Sequence, residues 1–152
     1  MNLETSPKRI SLAQIRESLY TAAVSDALDA AGCARQSPDV RFRPVTHPPL
    51  LAGWANTTLW DDLYHQDPRP YELELEAVDA CQADDVFIAA CHGSKRSAVW
   101  GELLTTAASA RGAVGAIVDG AVRDIAKMRT LDFPVYARGA NPRDSLHRQR
   151  VV

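Results

Sequence analysis

The second half of the chain alternates between short apolar runs and longer segments of helix-forming residues. Val86–Ala90 is a continuous apolar run of strand length, which is typical of a strand that is covered on both faces. The residues after it predict, in order, a helix over 97–110, a strand over 114–118, a helix over 122–131 and a strand over 135–137. This repetition predicts an α/β fold with a parallel or mixed sheet, in which small-molecule sites gather at the turns after the strands.

The first half has less regular signals. Ser11 is a candidate N-cap for one amphipathic helix that runs to about Ala27 and stops near Gly32. Six prolines between Ser37 and Pro70 exclude long helices there and favour short strands joined by turns. Leu50–Leu59 is the best strand candidate in this stretch, with Gly53 as a candidate bulge.

Two further elements are expected nearer the C-terminal end of the sequence. Glu and Leu residues predict a short helix over Tyr71–Cys81. The final pair, Val151 and Val152, could begin another strand.

Length and charge limit the classes of function. A chain of 152 residues fits one domain, 1–152, with a real apolar core. Seventeen basic against nineteen acidic residues give a net charge of −2, which argues against nucleic acid or anionic lipid as a partner. Three widely spaced cysteines indicate reduced thiols, and no segment has the pattern of a signal peptide or a membrane span. We therefore expect a cytoplasmic protein.

The segment from Gly101 to Asp144 contains the candidate site. Gly101 and Glu102 open the predicted helix, so the free N–H groups near Leu103 and Leu104 could receive a carboxylate. Asp119-Gly120 predicts a sharp turn, after which Arg123 and Asp124 would lie in the first turn of the next helix. One of these two side chains could hold a substrate oxygen while the other binds Mg²⁺ or Mn²⁺. From the residues alone, a solvated surface ion pair is the alternative.

Several stretches resemble the RraA-like family, which includes the 4-hydroxy-4-methyl-2-oxoglutarate aldolases. Glu102, twenty intervening residues and then Arg123-Asp124 are similar to the acid-X20-Arg-Asp motif of these aldolases. The flanking stretches that agree in order and spacing are VSDAL, LAGWA, GELLTTAA, GAVGAIVDGAVRD, FPVYARG and NPRD. The closely matched part, Gly101–Asp144, covers less than a third of the chain.

The resemblance implies a layered, swivelling β/β/α fold of the phosphohistidine-domain-like type, assembled as trimers or hexamers with sites at subunit boundaries. It also implies a divalent cation held chiefly by Asp124, with Arg123 on the keto oxygen of a 2-oxo acid. Gly101, Leu103 and Leu104 would bind the substrate carboxylate, and Glu102 would act through water. The product of cleavage would be pyruvate, formed from 4-hydroxy-4-methyl-2-oxoglutarate or from oxaloacetate.

Three departures from the family pattern are visible. The acid at Glu102 is commonly Asp, and an acid common three positions after Asp124 is replaced by Lys127. Relatives also continue past Val152 into strands that complete the domain, so we expect a shortened chain or a fragment that lacks them. Lys127 and the missing C-terminal portion motivate a second hypothesis, a regulator without catalysis that resembles the inhibitor of ribonuclease E.

Other residues are weaker candidates. His92 could line the cleft, although a turn histidine without a function is the more common case. Ser25 and Asp26 could lie near the site, or could face solvent within their helix. The three tryptophans, Trp54, Trp60 and Trp100, are interpreted as packing residues.

Overall fold

The computed structural model describes residues 10–47 and 50–152. The chain divides into two compact units, Met1–Asp39 and Val40–Val152. None of the helices in the described ranges has the length and apolar character that crossing a bilayer requires.

The first unit contains two helices, α1 (Leu12–Ser18) and α2 (Thr21–Ala30), where the sequence predicted one. Ser11 caps α1 as expected, because its side chain accepts a hydrogen bond from the N–H of Gln14. In return, the side chain of Gln14 accepts a hydrogen bond from the N–H of Ser11. The prediction of a single helix is wrong because the backbone is extended at Leu19 and Tyr20. Ser, Tyr and Thr at this junction all form helices less readily than the residues around them.

The second unit contains the remaining helices and a mixed sheet. Its helices are α3 (Glu72–Asp79), α4 (Glu102–Ala110) and α5 (Ile125–Met128). Its strands are β1 (Arg43–Pro44), β2 (Trp54–Asp62), β3 (Asp85–Ala90), β4 (Ala98–Trp100), β5 (Gly115–Val122), β6 (Val135–Ala140) and β7 (Gln149–Val151). Among the described residues these seven strands have the order β1-β6-β5-β3-β2-β7, with β4 paired to β5.

Parallel pairing dominates the middle of the sheet. β2, β3, β5 and β6 run parallel to one another, while β1 pairs antiparallel with β6 and β7 pairs antiparallel with β2 at the two ends. Phe87 and Ala89 in β3 and their register partners Ala116 and Val118 in β5 are fully buried, so this face of the two strands is covered. The predicted α/β class with a mixed sheet is confirmed, and so is the strand over Val86–Ala90.

Several predicted boundaries are wrong. The helix predicted from Ser97 starts at Glu102, because Ala98–Trp100 forms β4, whose three residues are all buried. Branched and aromatic side chains favour a covered strand at this position. Gly53 precedes β2 and forms no bulge; a Cβ there would lie 2.3 Å from the backbone oxygen of Asp84, so only glycine allows this approach.

The strand and helix on either side of the candidate site also differ from the prediction. Asp119-Gly120 is not a sharp turn, because β5 continues through it to Val122 with a register shift between Val118 and Ala121. The following helix is only four residues long, since Val122 still pairs with Ala140 and Asp124 has left-handed backbone angles. The predicted helix over 122–131 is therefore wrong in length.

Aromatic side chains connect the sheet to α4 in the core. The ring centroids of Phe87 and Trp100 are 4.7 Å apart, and Phe133 stacks on Trp100 with a centroid distance of 6.4 Å. Trp100 Nε1 donates to Thr105 Oγ1 at 2.8 Å, and this hydroxyl donates to the carbonyl oxygen of Gly101. The buried Thr105 hydroxyl thus ties the first turn of α4 to β4. Trp60 is also buried, whereas Trp54 is 67% exposed and does not pack in the core.

Replacing Thr105 by valine keeps the shape of the side chain but leaves the indole N–H of Trp100 without its acceptor. We expect Thr105→Val to lower the free energy of unfolding by about 1 to 3 kcal/mol, the usual cost of an unsatisfied buried donor. Urea unfolding of the variant and the parent measures this loss in the free energy of unfolding.

Thr106→Val is the matched control, because Thr106 is exposed and its hydroxyl also donates to the carbonyl four residues earlier. Thr106→Val should change the free energy of unfolding by no more than about 0.5 kcal/mol. Equal losses in the two variants would show that the bond from Trp100 contributes nothing.

Candidate functional site

A cavity of about 270 Å³ opens where the ends of β4 and β5 meet the first turn of α4. Its charged lining residues are Glu74, Arg123, Asp124 and Asp144, and Tyr71 adds a hydroxyl. Apolar side chains, including those of Leu75, Leu103 and Leu104, form much of the remaining wall. An apolar cleft with a few converging polar groups is the usual form of a small-molecule site.

The pairing of β4 with β5 brings Gly101 next to Asp124. The N–H of Arg123 donates to the carbonyl of Trp100 at 2.9 Å, so the chain after β5 runs beside the start of α4. A Cβ on Gly101 would lie 2.6 Å from Asp124 Oδ2, which only the absence of a side chain allows. Asp124 itself has φ 55°, a conformation that Asp tolerates better than most residues.

Asp124 faces the positive end of α4. The N–H of Glu102 points at Asp124 Oδ2 at 3.4 Å, and the first N–H groups of any helix lack an acceptor within the helix. The carboxylate is 42% exposed and borders a second, more open cavity of about 380 Å³ as well. Its oxygens are therefore accessible from two sides.

Arg123 lies between two carboxylates. Its Nη2 is 2.6 Å from Asp144 Oδ2, and its Nε is 3.6 Å from Asp124 Oδ2. Five N–H donors in a planar fork allow the guanidinium to keep both contacts and still donate elsewhere. The predicted pair is thus part of a larger network that Asp144 completes.

Asp144 is held by donors from three directions. Besides Arg123, it accepts from the hydroxyl of Tyr71 at 2.9 Å and from the N–H of Leu146 at 2.8 Å. Burial alone would raise the pKa of this carboxyl, but these three groups outweigh it and hold the pKa below its usual value. Asp144 is therefore ionised at neutral pH.

The loop that carries Asp144 is fixed to β4 and the residues before it. Asn141 Nδ2 donates to the carbonyl of Lys95 at 2.8 Å, and the N–H of Ala98 donates to the carbonyl of Arg143 at 2.8 Å. Asn141 Oδ1 also accepts from the N–H of Arg143. These bonds explain why the stretch NPRD brings its last residue opposite Arg123.

Glu74 behaves differently from Asp144, although both line the same cavity. Its Oε2 is 3.4 Å from the hydroxyl of Ser145, while Arg123 is bound to Asp144 instead. Burial and then the negative charge of Asp144 raise the pKa of Glu74 to about 7, against an opposing effect of Ser145 and Arg123. Burial, together with the bond to Asp144, also raises the pKa of Tyr71 to about 12.

Of the predicted site residues, five line this cavity: Gly101, Leu103, Leu104, Arg123 and Asp124. Glu102 does not, although its N–H points at Asp124. Sequence reasoning missed Tyr71, Glu74 and Asp144. The NPRD motif was a signal for Asp144, whereas the acids of α3 resembled the solvated face of an ordinary helix.

The weaker candidates lie elsewhere. His92 does not line the cavity; its Nε2 lies 3.6 Å from Asp61 Oδ1 at an exposed position. Ser25 accepts from Gln36 Nε2 within the first unit. Lys127 is exposed in α5.

Residues 21–151 match the family model described as RraA-like, Aldolase/RraA. The chain belongs to the RraA-like family. The family includes both aldolases or decarboxylases, some of them Mg²⁺-dependent, and inhibitors of ribonuclease E. RraA-fold proteins are oligomeric.

Individual relatives agree with this assignment. Protein DlpA of Legionella pneumophila is 28% identical over 138 residues, which cover 91% of this chain and 22% of that protein. A stretch of 50 residues is 40% identical to an uncharacterized protein of Methanocaldococcus jannaschii and covers 24% of it. The chain thus spans less than a quarter of the length of these curated relatives.

Solved structures share the fold. Streptomyces coelicolor RraAS2, described as an unusual member of the RNase ES inhibitor RraA family, aligns with a TM-score of 0.75 at 20% identity. That alignment covers 95% of this chain and 72% of RraAS2. A structure described under novel cellulases from gut-associated microbes aligns with a TM-score of 0.85 at 24% identity, over 100% of this chain and 74% of that one. At these identities the likeness shows the RraA fold alone.

The raised pKa of Glu74 predicts a specific effect of pH on stability. The folded state holds this proton up to about pH 7, above the ordinary value of 4.5. The folded state therefore binds more protons between these values, so the free energy of unfolding falls as pH rises through them. Glu74→Gln should lack this decrease in the free energy of unfolding. The variant should therefore be more stable than the parent by roughly 1 to 3 kcal/mol at pH 8, and the two should have similar stability at pH 4.

Urea unfolding at several pH values measures this difference. Glu76→Gln is the control, since Glu76 is exposed on the same helix and should leave the pH dependence unchanged. An identical pH profile in Glu74→Gln and the parent would refute the assignment.

Proposed function

We propose that this protein is a divalent-metal-dependent lyase that cleaves a 2-oxo acid to pyruvate through an enolate. Arg123, Glu102 and Asp124 are the proposed catalytic residues, and the substrate is of the 4-hydroxy-4-methyl-2-oxoglutarate or oxaloacetate type. The observation that carries the proposal is the convergence of Arg123 and Asp124 on one cavity at the first turn of α4. Membership of a family with Mg²⁺-dependent aldolases supports it.

The charges of the cavity explain why a cation would be needed. One guanidinium, Arg123, faces the two carboxylates of Asp124 and Asp144, and Glu74 adds negative charge when it ionises. The lining is therefore net negative, and it would repel a 2-oxo dicarboxylate. A divalent cation reverses that sign and would allow the anionic substrate to bind.

Asp124 fits the role of a metal ligand. Mg²⁺ is commonly held by one or two carboxylates, with waters and substrate oxygens completing its coordination. Among residues 10–47 and 50–152, no three His, Cys, Asp or Glu side chains form a cluster that could hold a metal by themselves. A single accessible carboxylate, as in Asp124, is compatible with a cation of this kind. When bound, the cation would polarise the keto group and stabilise negative charge on its oxygen.

The residues of the chain would supply the remaining interactions. The N–H groups of Leu103 and Leu104, at the positive end of α4, would bind the substrate carboxylate. Gly101, which has no side chain, lets Asp124 lie beside this end of the helix. Arg123 would donate to the keto oxygen, where negative charge develops as the carbon–carbon bond breaks. Asp144 would hold the guanidinium in this orientation.

Glu102 is proposed to act through a water molecule. It occupies the first position of α4, and its side chain is partly exposed. A carboxylate there could accept a proton from a substrate hydroxyl by way of one water, as general bases do.

A homotrimer, or a hexamer of two trimers, is the proposed assembly. Leu103 is 72% exposed and Leu75 is 54% exposed, and both border the cavity. Apolar side chains at the rim of a site support its closure by a neighbouring subunit.

Sedimentation velocity should give a mass at least three times that of the chain, and a monomer at micromolar concentration would contradict this proposal.

The activity is tested by incubating the protein with oxaloacetate and Mg²⁺ or Mn²⁺ and measuring pyruvate. We expect release above a blank that contains only the metal, and its loss when a chelator is added. Arg123→Lys and Asp124→Asn should each lower kcat/KM by about 100-fold or more, the usual cost of losing one group that stabilises an oxyanion.

Arg111→Lys and Asp132→Asn are the matched controls. Arg111 forms a surface ion pair with Asp79, and Asp132 is exposed, so neither change should affect the rate. Absence of metal-dependent pyruvate release from oxaloacetate and from 4-hydroxy-4-methyl-2-oxoglutarate would refute the lyase. That result would favour the second hypothesis, in which the protein is a regulator without catalysis that binds a partner of the ribonuclease E type.

A further inference from the structure

Glu74 lies on a wall shared by two cavities. It lines the main cavity together with Arg123 and Asp124, and it also lines a small cavity of about 10 Å³ on its other side. Tyr71 shares this position, whereas Arg123 and Asp124 border only the main one of these two. A carboxyl group here can exchange protons with a molecule in the main cavity from one side and be supplied from the other.

Burial, and then the negative charge of Asp144, favour the protonated form of this carboxyl. Asp144 forms an ion pair with Arg123 at 2.6 Å and accepts hydrogen bonds from the Tyr71 hydroxyl and the N–H of Leu146, so it remains ionised. Two carboxyl groups on one wall cannot both ionise cheaply, and the one with fewer donors retains its proton. Glu74 is that group, because within the described part of the chain its only hydrogen-bond donor is the Ser145 hydroxyl, 3.4 Å from its Oε2.

We propose that Glu74 is the acid that protonates the enolate carbon in the main cavity. This inference rests on the proposed lyase function. Loss of CO₂ from oxaloacetate, or aldol cleavage, leaves the electrons of the broken carbon–carbon bond in the enolate. The enolate carbon then takes the proton of the Glu74 carboxyl, which forms the methyl group of pyruvate, restores the keto group and leaves Glu74 as a carboxylate.

The small cavity gives a route by which Glu74 regains its proton. Gln149 lines it, and Gln149 Nε2 is buried with no acceptor among the described residues. About 10 Å³ is close to the volume needed for one water molecule, which would give this donor its missing partner. A water there would be a proton donor within the small cavity that Glu74 lines.

The charged residues around the small cavity compensate one another. Arg150 Nη1 is 3.2 Å from Asp67 Oδ2, and Arg69 Nη1 is 3.1 Å from Glu72 Oε2. Asp144 and Arg123, on the other side, are therefore the charges that act on Glu74.

Tyr71 is the other acid that reaches both cavities, and the energetics exclude it as the donor. Its hydroxyl is committed to Asp144, and its pKa of about 12 makes it a weak acid at neutral pH. General acids are most effective when their pKa lies near the working pH, and that of Glu74, about 7, meets this condition.

The test compares Glu74→Gln with Glu76→Gln, the same change at an exposed position of α3. Pyruvate, Mg²⁺ and each protein are incubated in D₂O, and exchange of the pyruvate methyl protons is followed by ¹H NMR alongside pyruvate release from oxaloacetate. Glu74→Gln should slow methyl exchange about 100-fold, the usual contribution of a general acid or base. Glu76→Gln should match the parent, and Glu74→Asp should recover part of the rate.

A second readout follows the carboxyl group itself. In protein labelled with ¹³C at the glutamate side-chain carboxyls, one resonance should titrate near pH 7 and be absent from Glu74→Gln. Equal exchange rates in the parent and Glu74→Gln, or a Glu74 resonance that titrates like an exposed glutamate, would overturn this inference while leaving the lyase intact. A parent protein with neither pyruvate release nor exchange would overturn the lyase and this role together.

Discussion

The change of strand partner along β5 is the constraint on which the candidate site depends. Up to Val118 this strand pairs with β3, and from Ala121 it pairs with β4 instead. Between these residues the ladder of β5 with β6, on its other edge, also shifts register. Because of the change, Trp100 and the start of α4 lie beside Arg123 and Asp124.

The close approach that results explains the residue types around it. Gly101 has no side chain because Asp124 occupies that space, and Asp124 accepts a left-handed backbone in order to face the helix. Thr105 and Trp100 bind each other below the first turn of α4. The start of α4 is therefore supported by a buried hydrogen bond and a packed aromatic core.

Electrostatics divide the carboxyl groups of the cavity into two kinds. Asp144 is ionised because Arg123, Tyr71 and Leu146 all donate to it, while burial and the charge of Asp144 together favour a proton on Glu74. Different environments thus separate the pKa values of two chemically similar groups within one cavity. This separation is the usual basis for assigning an acid and a charged partner in an active site.

Local patterns in the sequence were sufficient for those features that depend on neighbours along the chain. The cap at Ser11, the buried strand at Val86–Ala90 and the helix over Glu72–Asp79 follow from residues within a few positions of each other. The pair Arg123 and Asp124 could be identified because its spacing from Glu102 matches a family motif. Tertiary pairing decided the rest: β4 is a strand because β5 covers it, and Asp144 and Glu74 reach Arg123 from segments distant in the sequence. Their ionisation depends on burial and on each other's charge, which no linear pattern contains.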